Sequence, residues 1–179
     1  MLAALFALPV FADSAAINNI GIDVVLNRDG SADITEVWDV NVASGTEWYL
    51  TRNNLGDIDI LNLAVRDERG RNFIVEDRWD VKRTISQKEG RCGLNSTSYG
   101  CEICWGVGSY GHHVFTVSYT MTNVVKSLSD YDMLHMQFIS PGLSSEPKKA
   151  SVRIRMGGES FNESNSRIWG FGYYGDCTF

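Results

Sequence analysis

The stretch Ile20–Val42, IGIDVVLNRDGSADITEVWDVNV, carries the clearest structural signal in this chain, because it holds two alternating strands around one turn signal. In the second half Ile34, Trp38 and Val40 recur at every second or fourth position, which places them on one face of a strand. Asn27–Gly30 separates the two halves, and its glycine tolerates the positive φ that tight hairpin turns need. The stretch therefore predicts a β-hairpin with one apolar face.

The same alternation recurs along most of the chain, between turns rich in Gly, Asp and Asn. It predicts further strands near Trp48–Thr51, Ile58–Arg66, Asn72–Val75, Val114–Thr122, Met133–Ile139, Ala150–Met156 and Ile168–Tyr174. No segment keeps a helical period over about 12 residues, and Gly90–His113 is the least regular part. Such a pattern indicates a sandwich or a barrel. We expect a single all-β domain over residues 17–179, an antiparallel β-sandwich with little helix.

Composition excludes one class of partner. The 179 residues carry a formal net charge of -6 with a pI near 5.0, whereas binding to nucleic acid phosphates needs a basic surface. We therefore expect no nucleic acid partner. No motif calls for a cofactor, and none is predicted.

Residues 1–12, MLAALFALPVFA, resemble a secretory signal peptide, because an apolar run ends in a small residue before Asp13. The run is too short to cross a bilayer, which takes about 20 residues. No Lys or Arg precedes Arg28, so the basic start of such a peptide is missing and we expect truncation there. A buried N-terminal strand or helix is the alternative. The signal peptide predicts export to a periplasmic or extracellular location.

The C-terminal run Trp169–Phe179, WGFGYYGDCTF, is aromatic and stops without a polar tail. We expect the domain to be incomplete at this end. The sequence predicts no membrane-spanning segment within the 179 residues, so membrane attachment is expected through segments outside this chain.

The four cysteines are expected to form disulfides, because exported proteins fold under oxidising conditions. Four cysteines permit three pairings. A bridge between Cys92 and Cys104 would close the irregular loop, and Cys101 with Cys177 is the expected second pair.

Zinc is the alternative role for this region. Cys92, Cys101 and Cys104, with the adjacent His112 and His113, offer thiolates and imidazoles of the kind that tetrahedral zinc prefers. Oxidation in an exported protein would convert these thiols to disulfides, so we expect no metal site.

No set of nucleophile, base and orienting group stands out, so we predict no catalytic residue and no enzyme. The three histidines are His112, His113 and His135, and no G-x-S-x-G nucleophile elbow accompanies them. Adjacent strand residues point to opposite faces, so His112 and His113 are not expected to serve one site.

The five tryptophans divide into two groups. Trp38, Trp105 and Trp169 lie in apolar or aromatic strands and are expected in the core, whereas Trp48 and Trp79 are left as possible ligand-stacking residues. An exposed, coplanar pair would favour a carbohydrate-binding module, which is the alternative function.

The sequence resembles the DUF2207 family of predicted membrane proteins, a family of unknown function. The resemblance is spread over Ala16–Tyr174 and rests on VVLNRDGSADITEVWDV, Cys92–Leu94, Glu102–Gly108, His113–Tyr119, Thr122–Val125, Tyr131–Phe138 and the strand SVRIRM. It implies a β-sandwich outside the membrane, followed in longer members by transmembrane helices and a low-complexity tail. The family has no established activity, so it implies no catalytic residue.

Taken together, these features predict an extracytoplasmic, non-enzymatic ectodomain of a membrane-anchored protein. Its expected partner is a protein or another envelope component, or a glycan in the alternative.

Overall fold

The structure is a computed structural model that describes residues 15–172, residue 175 and residues 177–179. The signal peptide predicted over residues 1–12 lies outside the described residues. Eleven strands and one short helix follow one another along the described part of the chain. They are β1 (Ala16–Leu26), β2 (Ala32–Val42), β3 (Glu47–Asn53), β4 (Ile60–Arg66), β5 (Ile74–Glu76), α1 (Ile85–Lys88), β6 (Arg91–Ser96), β7 (Gly100–Gly106), β8 (Gly111–Met121), β9 (Val125–Ser127), β10 (Asp132–Leu134) and β11 (Ala150–Met156).

The strands form two large sheets that pack face to face, which confirms the predicted β-sandwich. The first sheet has the order β11-β1-β2-β8-β4, and the second has the order β3-β7-β6-β5. Strands β9 and β10 form a separate small hairpin. The opening hairpin forms as predicted, with Val24 opposite Ile34 and the turn closed by a hydrogen bond from Gly30 N to Asn27 O.

Two strand pairs are parallel, in a sandwich whose other pairs are antiparallel. Strand β11 pairs with β1, so that Ile20 lies opposite Ala150 and Leu26 lies opposite Met156. Strand β5 pairs in the same way with β6. Parallel strands need a long connection. Between β1 and its parallel neighbour β11 the chain forms all the other elements, from β2 to β10.

The core lies between the sheets and follows the alternation of the strands. On β2 the even-numbered side chains Ile34, Trp38 and Val40 are buried, and on β8 the odd-numbered Phe115 and Val117 meet them. Strands β3 and β7 close the core from the opposite side, with Leu50, Ile103 and Trp105 as fully buried side chains.

The segment predicted to be irregular, Gly90–His113, instead contains the hairpin of β6 and β7. Glycines weaken a strand signal, yet here Gly93 and Gly106 mark places where another backbone comes close. A Cβ atom on Gly106 would lie 2.0 Å from the carbonyl oxygen of Lys88. The segment that includes α1 therefore packs tightly on the outer face of this hairpin.

Two other predicted strands differ from the structure. The strand expected over Met133–Ile139 is limited to Asp132–Leu134. No strand forms in residues 168–172, the described part of the strand expected over Ile168–Tyr174.

Candidate functional site

The predicted stacking pair does not form. Trp79 is buried, with only 2% of its surface exposed, and its indole Nε1 donates to the Glu47 carboxylate. Trp48 is half-buried and meets Trp38 edge to face, with ring centroids 6.2 Å apart. The two side chains therefore do not provide a coplanar platform for a sugar ring.

The other three tryptophans divide differently from the prediction. Trp38 and Trp105 lie in the core as expected, and Trp105 packs edge to face on Phe115 at 5.7 Å. Trp169 was expected in the core but is 73% exposed, and residues 168–172, the described residues around it, form no strand with the sheets.

The cysteines carry free thiols, so neither the Cys92–Cys104 nor the Cys101–Cys177 bridge is formed in the structure. In the pairing of β6 with β7, Cys92 lies opposite Trp105, whereas Cys104 lies opposite Gly93. Opposed residues share a face, so the thiols of Cys92 and Cys104 are directed to opposite faces of the sheet. Cys177 is exposed, whereas Cys101 is buried.

The alternative zinc ligands are not assembled either. The cysteines of β6 and β7 belong to the second sheet, and His112 and His113 lie on β8 in the first sheet. In the described part of the chain, no three His, Cys, Asp or Glu side chains come together in a geometry that could hold a metal ion.

A buried ionic network joins the two sheets. Arg52 on β3 reaches Glu36 on β2, and its Nη2 and Nε atoms donate to the Tyr119 hydroxyl at 2.6 and 3.0 Å. Tyr119 in turn donates to the same Glu36 oxygen, and Trp38 Nε1 donates to the other oxygen at 3.0 Å. Each of these polar groups therefore has a partner inside the core, as buried charges require.

Burial governs the protonation of this network. Burial, reinforced by the Glu36 carboxylate, raises the pKa of Tyr119 well above its ordinary value, so the hydroxyl stays protonated and can donate. For Arg52, burial is the largest single effect and would lower the pKa, but the Glu36 carboxylate and the Tyr119 oxygen together outweigh burial, and the pKa is raised. The network is thus a fixed set of one cation, one anion and two donors. It is closed to solvent and joins β2 of the first sheet to β3 of the second.

The backbone carbonyl of Thr51 connects the buried network to a loop at the surface. Arg52 Nη1 donates to the Thr51 oxygen at 3.0 Å, and the same oxygen accepts the Ser140 hydroxyl at 2.9 Å. Ser140 begins the loop that runs past β3, and Ser145 further along this loop accepts the backbone N–H of Ile17 at 3.1 Å. The loop between the two serines is therefore held at both ends.

A cleft lies between this loop and β3. Its volume is about 140 Å³, and the half-buried Trp48 is one of the residues that line it. The other lining residues come from the position before β1, the end of β2, the β2–β3 loop, β3 and the Ser140–Ser145 loop: Ala15, Val42, Ala43, Ser44, Glu47, Tyr49, Thr51, Pro141, Gly142, Leu143 and Ser144. We refer to it as the β3 cleft. It is mostly apolar, and one of the two hydrogen bonds that hold its loop, from Ser140 to the Thr51 oxygen, connects it to the buried network.

A second ionic cluster surrounds Glu47, one of the residues that line the cleft. Lys88 is fully buried, and its Nζ atom bonds Glu47 at 2.9 Å, Thr46 Oγ1 at 2.8 Å and the Val81 oxygen at 2.8 Å. The same Glu47 carboxylate accepts the indole of Trp79. Glu47 is therefore committed to these partners and is not a free acid in the cleft.

A match to a family model covers residues 16–178, almost the whole described chain, and the family is described as "Predicted membrane protein (DUF2207) N-terminal domain". The chain belongs to this family. The resemblance noted from the sequence is thereby confirmed. No curated protein matches the chain.

The described residues of this DUF2207 domain contain no helix long and apolar enough to cross a bilayer. The family name nevertheless identifies the parent type as a predicted membrane protein with this domain at its N-terminal side.

One side-chain cluster of the DUF2207 domain has the order of a catalytic triad. His113 Nε2 lies 3.4 Å from Ser109 Oγ, and its Nδ1 atom lies 3.6 Å from Glu68. The same Nε2 atom is nearer to the Ser109 backbone oxygen, at 3.0 Å, and a carbonyl can only accept. Nε2 is therefore a donor in this arrangement and is not available to take the serine proton.

Sequence reasoning missed the buried network, although alternation carried a signal for part of it. Glu36 lies between Ile34 and Trp38 in the same even-numbered series, which places its side chain on the core face. A carboxylate at a core position calls for a buried cationic partner. The sequence does not name that partner, because Arg52 reaches it across the packing of two sheets.

Proposed function

We propose that this domain is a non-enzymatic, extracytoplasmic binding domain of a membrane-anchored protein, and that it holds one apolar side chain of a partner protein in the β3 cleft. The observation that carries the proposal is the size of the cleft, about 140 Å³, together with a mostly apolar lining that includes Trp48 and Tyr49. Sites for whole small molecules usually have about 300–1,000 Å³. A cavity of about 150 Å³ holds a single benzene-sized ring.

The small volume of the cleft favours a single protein side chain over a sugar ring as its ligand. A sugar ring needs a broad stacking surface with several polar groups, and burial of Trp79 removes half of the expected platform. An anchor side chain of a protein partner needs a small, well-packed pocket, because such hot spots work by excluding water. Tyr49, which lines the cleft and is 48% exposed, is of a residue type that is enriched in protein–protein interfaces.

Preorganisation also supports a binding role. The two hydrogen bonds at Ser140 and Ser145 hold the loop wall in place before any partner arrives. A preformed wall lowers the entropy that binding would otherwise cost. The extracytoplasmic placement is supported by the signal-peptide pattern of residues 1–12 and by the family's description as a membrane protein.

The test uses small analogues of side chains and sugars as probes, observed by NMR at the indole Nε1–H groups. We expect indole and p-cresol to shift the Trp48 signal with dissociation constants on the order of millimolar, as suits fragments of this size. The fully buried Trp105 signal should stay in place. Methyl glucoside should leave Trp48 unchanged.

Two leucine-to-glutamine substitutions provide the test variant and its matched control. Leu143→Gln should weaken indole binding, whereas Leu128→Gln, at an exposed leucine in the β9–β10 hairpin, should have no effect. Stronger binding of methyl glucoside than of indole would favour the carbohydrate-binding alternative. Equal binding of indole by both variants would overturn the assignment of the cleft.

A further inference from the structure

The small hairpin of β9 and β10 presents one apolar face to solvent. In its register Met133 lies opposite Lys126, and a hydrogen bond from Leu128 N to Tyr131 O, at 2.9 Å, continues the same pairing to the turn. Residues that lie opposite one another, and residues two positions apart on one strand, share a face of a sheet. Lys126, Leu128, Tyr131 and Met133 therefore form one continuous surface, which we call the hairpin face.

The reverse side of the hairpin packs on the domain. Val125 and Leu134, which lie opposite one another on that side, are partly buried against the hydrophobic core. Val125 N also donates to the Gly30 oxygen at 3.0 Å, which fixes the hairpin to the turn between β1 and β2. Because the reverse side is held against the core, the fold itself turns the hairpin face outward.

Three apolar side chains dominate the hairpin face. Leu128 is 44% exposed, Tyr131 is 57% exposed and Met133 is 38% exposed. Lys126 adds its aliphatic stem, and its Nζ atom is bonded to both carboxylate oxygens of Asp57, at 2.8 and 3.0 Å. Single apolar side chains are common on protein surfaces, whereas large neighbouring ones mark interaction sites.

Negative charge lies at the tip of the hairpin, beside these apolar side chains. Asp130 and Asp132 flank Tyr131 in the sequence. The two carboxylates accept the hydroxyl groups of Ser129 and Ser127, and neither forms an ion pair with any of the described residues. Because the charge of the one lysine on the hairpin face is neutralised by its own ion pair, the surface combines an apolar centre with an acidic edge.

From this arrangement we infer that the hairpin face binds an amphipathic, positively charged segment of a partner protein. Apolar side chains of that segment cover Leu128, Tyr131 and Met133, and lysine or arginine side chains beside them pair with the two carboxylates at the tip. A second copy of the chain would bring identical carboxylates together, and like charges oppose such a contact. The negative surface of an anionic membrane would meet the same repulsion.

The hairpin face is separate from the β3 cleft. None of its residues lines the cleft. The hairpin is attached at Gly30, near the end of β1 at Leu26, whereas the cleft lies beside Ala15, where β1 begins. The inference therefore does not rest on the proposed role of the cleft.

Two designed peptides of about 14 residues test the inference, because shorter peptides seldom form a stable helix. Both carry leucines at helical spacing on one face, and the other face is lysine in one peptide and glutamate in the other. In the 179-residue chain, we expect the lysine peptide to shift the methyl NMR signals of Leu128 and Met133 until they saturate. The glutamate peptide should leave these signals in place. Added salt should weaken the binding of the lysine peptide.

A pair of tyrosine variants tests the apolar part of the contact. Tyr131→Ser removes the ring from the hairpin face and should weaken binding of the lysine peptide about tenfold, as suits loss of one anchor side chain. Tyr99→Ser removes an even more exposed ring from the β6–β7 turn and should have no effect.

A pair of charge variants tests the acidic edge. The double variant Asp130→Asn, Asp132→Asn should weaken binding of the lysine peptide, while its amide oxygens can still accept the neighbouring hydroxyl groups. The control Asp77→Asn, Glu163→Gln changes the net charge by the same amount at two exposed carboxylates outside the hairpin and should have little effect.

Four outcomes would overturn the inference. The first is no saturable shift of the two methyl signals with the lysine peptide, and the second is an equal loss of binding in the two charge variants. The third is a shift of the same signals by phosphatidylcholine vesicles, which would assign the face to lipid. The fourth is a concentration-dependent dimer that Tyr131→Ser abolishes, which would assign it to a second copy. Indole binding by Tyr131→Ser, and binding of the lysine peptide by Leu143→Gln, show separately whether the cleft proposal stands.

Discussion

The guanidinium of Arg52 on β3 crosses the interior of the sandwich to bind the carboxylate of Glu36 on β2. Both side chains are almost completely buried, with exposures of 4% and 0%. An ion pair in this position links the two sheets at one defined register. A hydrophobic pair of similar volume would fill the space without fixing which residue lies opposite which.

The first prediction concerns the loss of one member of this pair. Arg52→Met should lower the free energy of unfolding by about 3–5 kcal/mol, because the Glu36 charge would remain buried without a partner. Urea denaturation of the folded chain measures the change. The double variant Glu36→Gln, Arg52→Met should recover part of the loss, since no charge is then left alone.

The control for this prediction is Arg153→Met, which breaks an exposed pair with Asp23 and should change stability little. A double variant that loses the full sum of both single losses would show that the two residues do not act as a pair.

A second prediction concerns the close approach at Gly106. An alanine there would place its Cβ atom 2.0 Å from the Lys88 oxygen and 2.4 Å from the Lys88 carbonyl carbon. Because both contacts are backbone atoms, the segment around α1 must move, and we expect a loss of about 1–3 kcal/mol. The thermal midpoint of unfolding reports the loss.

Gly21 on β1 provides the matched control, because a Cβ atom there would meet only Ser151 Oγ, at 4.0 Å. Gly21→Ala should leave the midpoint nearly unchanged. Equal midpoints for the two variants would contradict the tight packing of α1 against β7.

The third prediction concerns thiol reactivity. Burial raises the pKa of Cys92 to about 12 and raises the pKa of Cys104 further, and the thiolate is the reactive form. Cys101 is also buried, with a raised pKa, whereas Cys177 is exposed. We therefore expect iodoacetamide at about pH 8 to label only Cys177 in the native chain.

Mass spectrometry of the labelled peptides gives the result, and all four thiols should react once the chain is unfolded in urea. Peptide mapping of the protein without reducing agent tests the pairing expected from the sequence. A peptide that joins Cys101 to Cys177 would contradict the free thiols of the structure.

The fold could be predicted from the sequence where strands alternate strongly. The pattern around Asn27–Gly30 and along Ala150–Met156 was sufficient for the hairpin and the last strand, because one buried face shows directly in a period of two. The hairpin of β6 and β7 was not predicted, because Gly90–His113, which contains Gly93 and Gly106, shows no regular alternation. Both glycines in fact make room for a neighbouring backbone, which depends on tertiary packing.

The β3 cleft could not be predicted for a similar reason. Two of the residues that line it, Trp48 and Leu143, are about 95 positions apart in the sequence. The loop that carries Leu143 has no strand pattern. The hydrogen bond between Ser140 and Thr51 that holds the wall has no counterpart in the spacing of residues. Long-range loop contacts of this kind leave no periodic signal.

The parallel pairing of β1 with β11 determines the distance between the β3 cleft and the point where the chain leaves the first sheet. The β3 cleft lies beside Ala15, where β1 begins, whereas β11 ends beside Leu26 at the other end of β1. At about 3.3 Å per residue, the ten steps between these ends span roughly 33 Å. Glu159, just after β11, is still at the far end, 3.5 Å from Arg28 in the first hairpin turn. A partner held in the cleft would therefore lie one full strand length from the point where the chain leaves the sheet.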